Sequence, residues 1–149
     1  MTETVSGAPR QQQRRAAQRL RLERVHSTAG VHPYDEVEWE RRDVVMTNWR
    51  DGTVNFEQRG VEFPVDWSIN AANIVTTKYF RGAVGTDARE SSLRQLIDRV
   101  VMKYVGAGRD NGYFATDDDV VVFQHELTWM LLHQVSSCWN TITSSSVAK

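Results

Sequence analysis

Cysteine is almost absent from this sequence: Cys138 is the only one among 149 residues. One cysteine excludes a disulfide within the chain and a zinc site built from several thiolates. It also excludes chemistry that relays electrons between thiols of the same chain. Long apolar runs are missing too, so no membrane-spanning helix is predicted. The N-terminus lacks the apolar segment of a secretory signal, which indicates a cytoplasmic protein.

An excess of charge of one sign is also lacking, because 18 Lys and Arg residues face 19 Asp and Glu residues. A formal net charge of −1 gives no overall field that would attract nucleic acid. Residues 1–24 are the exception, with six arginines and two glutamates. Such a segment is typical of a nucleic-acid-binding arm, a transit peptide or a disordered basic leader. The missing aromatic residues favour the leader, and nucleic acid is an unlikely partner.

Alternating apolar and polar residues indicate a β-hairpin around Asp51-Gly52. An Asp-Gly pair between alternating runs is typical of a tight turn in which both residues take positive φ. We expect the second strand to stop at Pro64, and residues 36–41 to form a short helical turn before the hairpin. The alternating residues are Val45, Thr47, Trp49, Val54, Phe56, Val61 and Phe63.

Helices are predicted for most of the remaining sequence. Ser68 is a suitable N-cap for a helix over 69–80, and Asp87 with Glu90 resembles a capping box for a second helix. Glycines at 106, 108 and 112 are expected to end that helix. A third helix is expected from Thr116 to about Val135. The apolar stripe of the second helix is Leu93, Leu96, Ile97, Val100, Val101 and Tyr104.

These elements predict an α+β fold, mainly α, in which a β-hairpin precedes an amphipathic helical pair and docks beside it. The sequence divides into a disordered basic leader (1–24), one folded domain (25–135) and a disordered tail (136–149). The tail is small, polar and without pattern.

Candidate chemical groups within the domain are weak. His125 and His133 lie eight residues apart, and Trp129 stands where a zinc helix needs its second histidine, so satisfied or surface histidines are favoured over a metal site. The glycines from Gly106 to Gly112 follow a helix and have the wrong spacing for a phosphate loop.

Three further groups have alternative interpretations. The acids Asp117 to Asp119 could bind a divalent ion, but at a helix start they are typical of dipole compensation. Cys138 has no basic neighbour that would activate it, so an incidental thiol is favoured. The aromatic residues around the hairpin fit either a protein interface or a small core. They are Tyr34, Trp39, Trp49, Trp67 and Tyr79.

Several blocks of sequence resemble the N-terminal region of class II ribonucleotide reductases, the adenosylcobalamin-dependent enzymes. The resemblance runs from about Leu22 to Gln134, some three quarters of the chain. The blocks are GVHPYDEVEWERRDVVMTNWRDG, NFEQRGVEFP, NIVTTKYFRGAVGT, SLRQLIDRV and HELTWMLLHQ.

The resemblance implies a helical platform that leads into a ten-stranded α/β barrel. In such enzymes adenosylcobalamin generates a thiyl radical on a barrel cysteine, and two further cysteines supply electrons while a ribonucleotide becomes a deoxyribonucleotide for DNA synthesis and repair. It implies a ribonucleoside-diphosphate substrate, a thioredoxin-like reductant and possible homo-oligomers.

The resemblance to the family stops after Gln134 and Val135. From Ser136-Ser137-Cys138 onward the sequence differs from that of the family. Cys138 therefore inherits no family role, and no catalytic, cofactor-binding or metal-binding residue is carried over to this chain. We expect a truncated or frame-shifted product that is inactive alone. The alternative is a non-catalytic module that docks on a full-length reductase.

Overall fold

The computed structural model describes residues 19–135. They form a short 3-10 turn (Pro33–Asp35), strands β1 (Trp39–Thr47) and β2 (Val54–Pro64), and helices α1 (Ile69–Lys78), α2 (Leu93–Asp110) and α3 (Asp117–Leu132). The order of hairpin and helices confirms the predicted α+β class. Most of the predicted leader, the predicted tail and Cys138 lie outside the described residues.

The strands pair antiparallel, with Glu40 opposite Phe63 and Met46 opposite Phe56. The predicted hairpin is confirmed, but its turn differs from the predicted one. Of the two turn residues, only Gly52 has positive φ (72°). The Asp51 carboxylate closes the turn by accepting hydrogen bonds from the Thr53 backbone N–H (3.0 Å) and hydroxyl (2.7 Å).

The predicted helical turn at 36–41 is wrong. Glu40 and Arg41 are part of β1, where they pair with Phe63 and Glu62. The helical turn lies earlier, at Pro33–Asp35, because Pro33 fixes its own φ in the helical range and the His32 imidazole caps the turn by accepting from the Tyr34 N–H.

Helix α1 begins as predicted, with the Ser68 hydroxyl accepting from the Ala71 N–H at 3.1 Å. The predicted cap of α2 is wrong, since Ser92 and Gln95 form the capping box. Glu90 instead binds Arg99 through both carboxylate oxygens, at 2.7 and 3.2 Å. This ion pair leaves Glu90 unable to cap a helix at Asp87.

Helix α2 does not break at Gly106 or Gly108 but continues to Asp110. It ends near Gly112, which has a φ of 64°. The predicted apolar stripe is buried except at Tyr104, which is 40% exposed, and Val105 is buried instead. The buried residues 97, 101 and 105 follow the i±4 ridge that commonly packs against a second helix.

One core joins the base of the hairpin to all three helices. Helix α2 packs on α3, and β2 contacts α1 and α2, so the hairpin docks beside the helical pair as predicted. The aromatic residues divide between the two interpretations. Tyr34 and Trp67 are buried, Trp39 and Tyr79 are half-buried, and Trp49 is 85% exposed. Among the described residues, no helix is long and apolar enough to cross a membrane.

Candidate functional site

Two surface features of the described residues are the main candidates for a functional site. One is the contact of α3 with residues 20–27, which we call the strap. The other is a groove between β1 and the start of α1. Neither resembles a metal centre, since the described part of the chain holds no group of three or more His, Cys, Asp or Glu side chains that could bind an ion.

The strap is held on α3 by two carboxylates seven residues apart, Asp119 and Glu126. That spacing is close to two turns, so both side chains lie on one face of α3. Asp119 Oδ1 accepts a hydrogen bond from the Leu22 N–H at 2.8 Å. Its Oδ2 accepts from the Thr116 N–H at 2.9 Å and hydroxyl at 2.6 Å. Asp119 thus caps α3 and holds the strap at the same time.

Glu126 receives a cluster of donors from the strap. Its carboxylate accepts from the backbone N–H groups of Val25 (3.2 Å), His26 (3.1 Å) and Ser27 (2.8 Å), and from the Ser27 hydroxyl (2.6 Å). Burial acts to raise the pKa of Glu126, but these hydrogen bonds outweigh it and hold that pKa below its ordinary value. The carboxylate therefore serves the strap in its ionised form.

All four histidines of the chain lie at or beside this contact. The His32 and His125 rings meet edge to face, 5.0 Å apart, and Arg24 Nη1 lies 3.3 Å from His125 Nδ1. Burial, and then the nearby His32 and Arg24 charges, lower the pKa of His125 below its ordinary 6.5. A protonated His125 would place its positive charge next to the Arg24 guanidinium.

The other two histidines enclose Trp129. His26, from the strap, stacks on one face of the indole at 4.5 Å, and His133 stacks on it at 4.0 Å. The His133 ring therefore packs on Trp129 and not on His125. His125 faces His32 and Arg24 instead, so the structure does not bring His125 and His133 together.

A polar pocket of about 430 Å³ lies behind His32, between the 3-10 turn and α2. The Tyr34 hydroxyl donates to Asp98 Oδ1 at 2.8 Å. Burial, followed by Asp98, raises the pKa of Tyr34 far above its ordinary value. The Arg94 guanidinium lies 4.0 Å from the centre of the Trp39 ring, which ties α2 to the start of β1.

The groove has a volume of about 500 Å³ and an apolar floor. Val44, Trp67 and Ala72 form the floor and are buried, whereas Ile69 on the rim is 74% exposed. The Trp67 indole N–H donates to the carbonyl of Leu132 at 2.8 Å, so the end of α3 lies directly against this floor. The full lining is Glu40, Arg42, Asp43, Val44, Val65, Trp67, Ser68, Ile69, Ala72 and Asn73.

Arg42 fixes the shape of the groove. Its guanidinium donates to the carbonyls of Pro64, Val65 and Trp67 and pairs with Glu40. These bonds hold the turn between β2 and α1. Sequence reasoning missed both Arg42 and Glu126, because each acts on backbone groups far away in sequence.

A family model described as class II vitamin B12-dependent ribonucleotide reductase matches residues 41–134, more than half of the chain. This chain belongs to that family. The matched residues include β2, all three helices and β1 except Trp39 and Glu40, together with the Asp119 and Glu126 carboxylates and every groove residue except Glu40. The predicted resemblance is therefore confirmed.

Individual reductases show the same relationship over more of the chain. The vitamin B12-dependent ribonucleotide reductase of Streptomyces coelicolor (strain ATCC BAA-471 / A3(2) / M145) is 66% identical over 140 residues, which cover 92% of this chain and 14% of the relative. That of Rhodopirellula baltica (strain DSM 10527 / NCIMB 13988 / SH1) is 41% identical over 106 residues, 70% of this chain and 10% of the relative. The chain thus spans about one seventh of the length of its Streptomyces relative.

The described residues do not fit a corrinoid cofactor. A corrin ring needs a broad apolar wall and commonly a nitrogen donor. The groove has an apolar floor but no histidine in its lining, and the described histidine rings pack against one another, Tyr34 or Trp129. We therefore assign no step of the reductase reaction to these residues.

Proposed function

We propose that this chain is the non-catalytic N-terminal part of a reductase that converts ribonucleoside diphosphates to deoxyribonucleotides with adenosylcobalamin. The observation that carries the proposal is the 66% identity to a vitamin B12-dependent ribonucleotide reductase, confined to 14% of that protein. The cytoplasm is the location that this chemistry favours.

The chemistry of the described residues supports a structural role. The thiyl mechanism that the family resemblance implies uses several cysteines, whereas this sequence has one, Cys138. The Asp119 and Glu126 carboxylates of α3 accept hydrogen bonds from the strap rather than facing a cavity. We propose that residues 1–149 alone do not reduce ribonucleotides and that they support a barrel supplied by the rest of the enzyme.

The test is a reconstitution assay. The chain is mixed with adenosylcobalamin, a thioredoxin-like reductant and a ribonucleoside diphosphate, with and without a Streptomyces coelicolor reductase that lacks the matching 140 residues. We expect no deoxyribonucleotide from the chain alone and a higher turnover from the mixture than from the shortened enzyme. Product from the chain alone would overturn the proposal.

The groove favours a second candidate function, docking on a full-length reductase. Ile69 and Val65 expose apolar surface on its rim, and the end of α3 lies at its floor. Exposed apolar surface beside a preformed groove is typical of a contact site. We propose that the remainder of a reductase, supplied by the same or another polypeptide, covers this groove.

A charge placed in the groove tests this candidate. We expect Ile69→Asp to abolish binding to the full-length reductase in size-exclusion chromatography, because docking would bury the new carboxylate at the apolar rim of the groove. Trp49→Asp is the matched control, since Trp49 is also largely exposed but lies at the hairpin turn. Equal binding by both variants would exclude the groove as the docking site.

A further inference from the structure

Charged side chains make the hydrogen bonds that attach the strap to α3, beside two further contacts: Leu22 packs on the core and His26 stacks on Trp129. Glu126 accepts three backbone N–H bonds from it, Asp119 accepts one, and Arg24 lies between Ser27 Oγ (2.9 Å) and His125 Nδ1 (3.3 Å). Val25 in the middle of the strap is largely exposed. The strap therefore depends on the charge state of the α3 face.

On that face His125 takes up its proton next to an existing cation, the Arg24 guanidinium. His125 is faced by Arg24 from the strap and by His32 from the loop before the 3-10 turn, with Glu126 beside it and Glu36 nearby as counter-charges. The pocket behind His32 adds Asp35, Asp98 and Arg94. Glu126 accepts hydrogen bonds from strap N–H groups, so the counter-charge beside His125 is also the group that holds the strap.

We propose that residues 20–27 form a proton-controlled strap, which His125 releases from α3 when it becomes protonated. Arg24 is the group through which the charge acts, because its guanidinium contacts both His125 and Ser27. Release would uncover the α3 face from Asp119 to Trp129, including the indole that His26 covers.

The direction follows from linkage between protonation and attachment. Burial and His32 lower the pKa of His125, and the strap adds the Arg24 charge to these causes. Release removes that charge, so the released state binds the proton more readily. Attachment is therefore strongest above the ordinary histidine pKa of 6.5 and weakens as pH falls through it. The lowered pKa of Glu126 adds a second loss only at lower pH, where that carboxylate takes up a proton.

Amide hydrogen exchange by NMR on the whole chain measures strap release directly. Protection factors, corrected for the intrinsic pH dependence of exchange, are compared between about pH 8 and about pH 5.5. We expect the protection of the His26 and Ser27 amides to fall about threefold or more. The amides of Leu96 and Ile97 in the core should keep theirs. Strap protection that does not change with pH would overturn the proposal.

Three variants separate proton control from a merely structural role. His125→Gln keeps an acceptor for Arg24 but cannot be charged, so we expect strap protection to become independent of pH. His133→Gln is the matched control on the same helix and should keep the pH dependence. Glu126→Gln should weaken strap protection at every pH. If His125→Gln lowers core protection, Arg24→Gln takes its place, because it removes the charge that a protonated His125 repels. A pH dependence retained in a folded His125→Gln, or in Arg24→Gln, would overturn the proposal.

Discussion

Helix α3 uses opposite chemistry on two of its faces. Toward α2 it packs an apolar side, with Val120, Leu127 and Leu131 buried, whereas toward the strap it presents Asp119 and Glu126. Apolar burial contributes free energy that hardly changes with pH. Carboxylate and imidazole contacts contribute less and depend on protonation. The comparison indicates that apolar burial fixes the fold, whereas the hydrogen bonds that hold the strap depend on charge.

The largest expected effect breaks the apolar side of this comparison. Leu96 is fully buried in α2, so Leu96→Ala removes buried methyl groups and leaves a cavity. We expect it to lower the free energy of unfolding by about 3 kcal/mol, measured by urea denaturation. Met102→Ala on the same helix is the control and should change it by less than about 1 kcal/mol, because Met102 is half exposed. Similar losses for both variants would contradict the assigned core.

A second prediction tests how tightly the same side is packed. A Cβ added at Gly108 would lie 2.4 Å from the Phe114 ring, which packs against Phe123, whereas one at Gly106 would meet nothing within 4 Å. We expect Gly108→Ala to destabilise the protein by about 1–3 kcal/mol. Gly106→Ala should instead stabilise it by about 0.5–1 kcal/mol, since alanine is the better helix former. Thermal unfolding of the two variants measures both changes in stability. Changes of the same sign would contradict the close packing of Gly108 against Phe114.

The elements could be predicted from the sequence because their signals are local. The alternation around Asp51-Gly52 and the caps at Ser68 and Thr116 each depend on a few neighbouring residues. The sequence could not show that α2 runs through Gly106 and Gly108. At Gly108 the reason is a close approach of Phe114, which is a tertiary contact that composition does not reveal.

The strap could not be predicted for the same reason. Glu126 binds residues about 100 positions away, and nothing near Glu126 in sequence marks it as a receptor for backbone N–H groups. The division of the sequence at residue 24 placed part of the strap in a disordered leader. In the structure Leu20 pairs with residues 113–115 and Leu22 bonds to Asp119. The local sequence, such as Arg24 close to His26, is as typical of a solvated segment as of one attached to a helix.

A third prediction moves to the polar side. The Tyr34 hydroxyl donates to Asp98 at 2.8 Å in a buried position. We expect Tyr34→Phe to lower the free energy of unfolding by about 0.5–1.5 kcal/mol, because the Asp98 carboxylate loses one donor but can still reach water. Tyr113→Phe is the control, since Tyr113 is largely exposed, and should have almost no effect. Urea denaturation near neutral pH measures both, and a larger loss than for Leu96→Ala would reverse the comparison between the two sides.

The smallest expected effect concerns the end of α3, below the groove. The Val135 N–H donates to Met130 O at 2.9 Å and the Gln134 N–H to Leu131 O at 3.3 Å, the pattern of a Schellman cap. Gln134 has a φ of 58°, the only positive φ of a non-glycine residue in the described part of the chain. Glycine takes this conformation without strain, so we expect Gln134→Gly to raise the free energy of unfolding by about 0.5–1 kcal/mol. Gln134→Ala keeps the strain and should change it little. A loss of stability in Gln134→Gly would show that the Gln134 side chain, rather than the backbone cap, holds this end of α3.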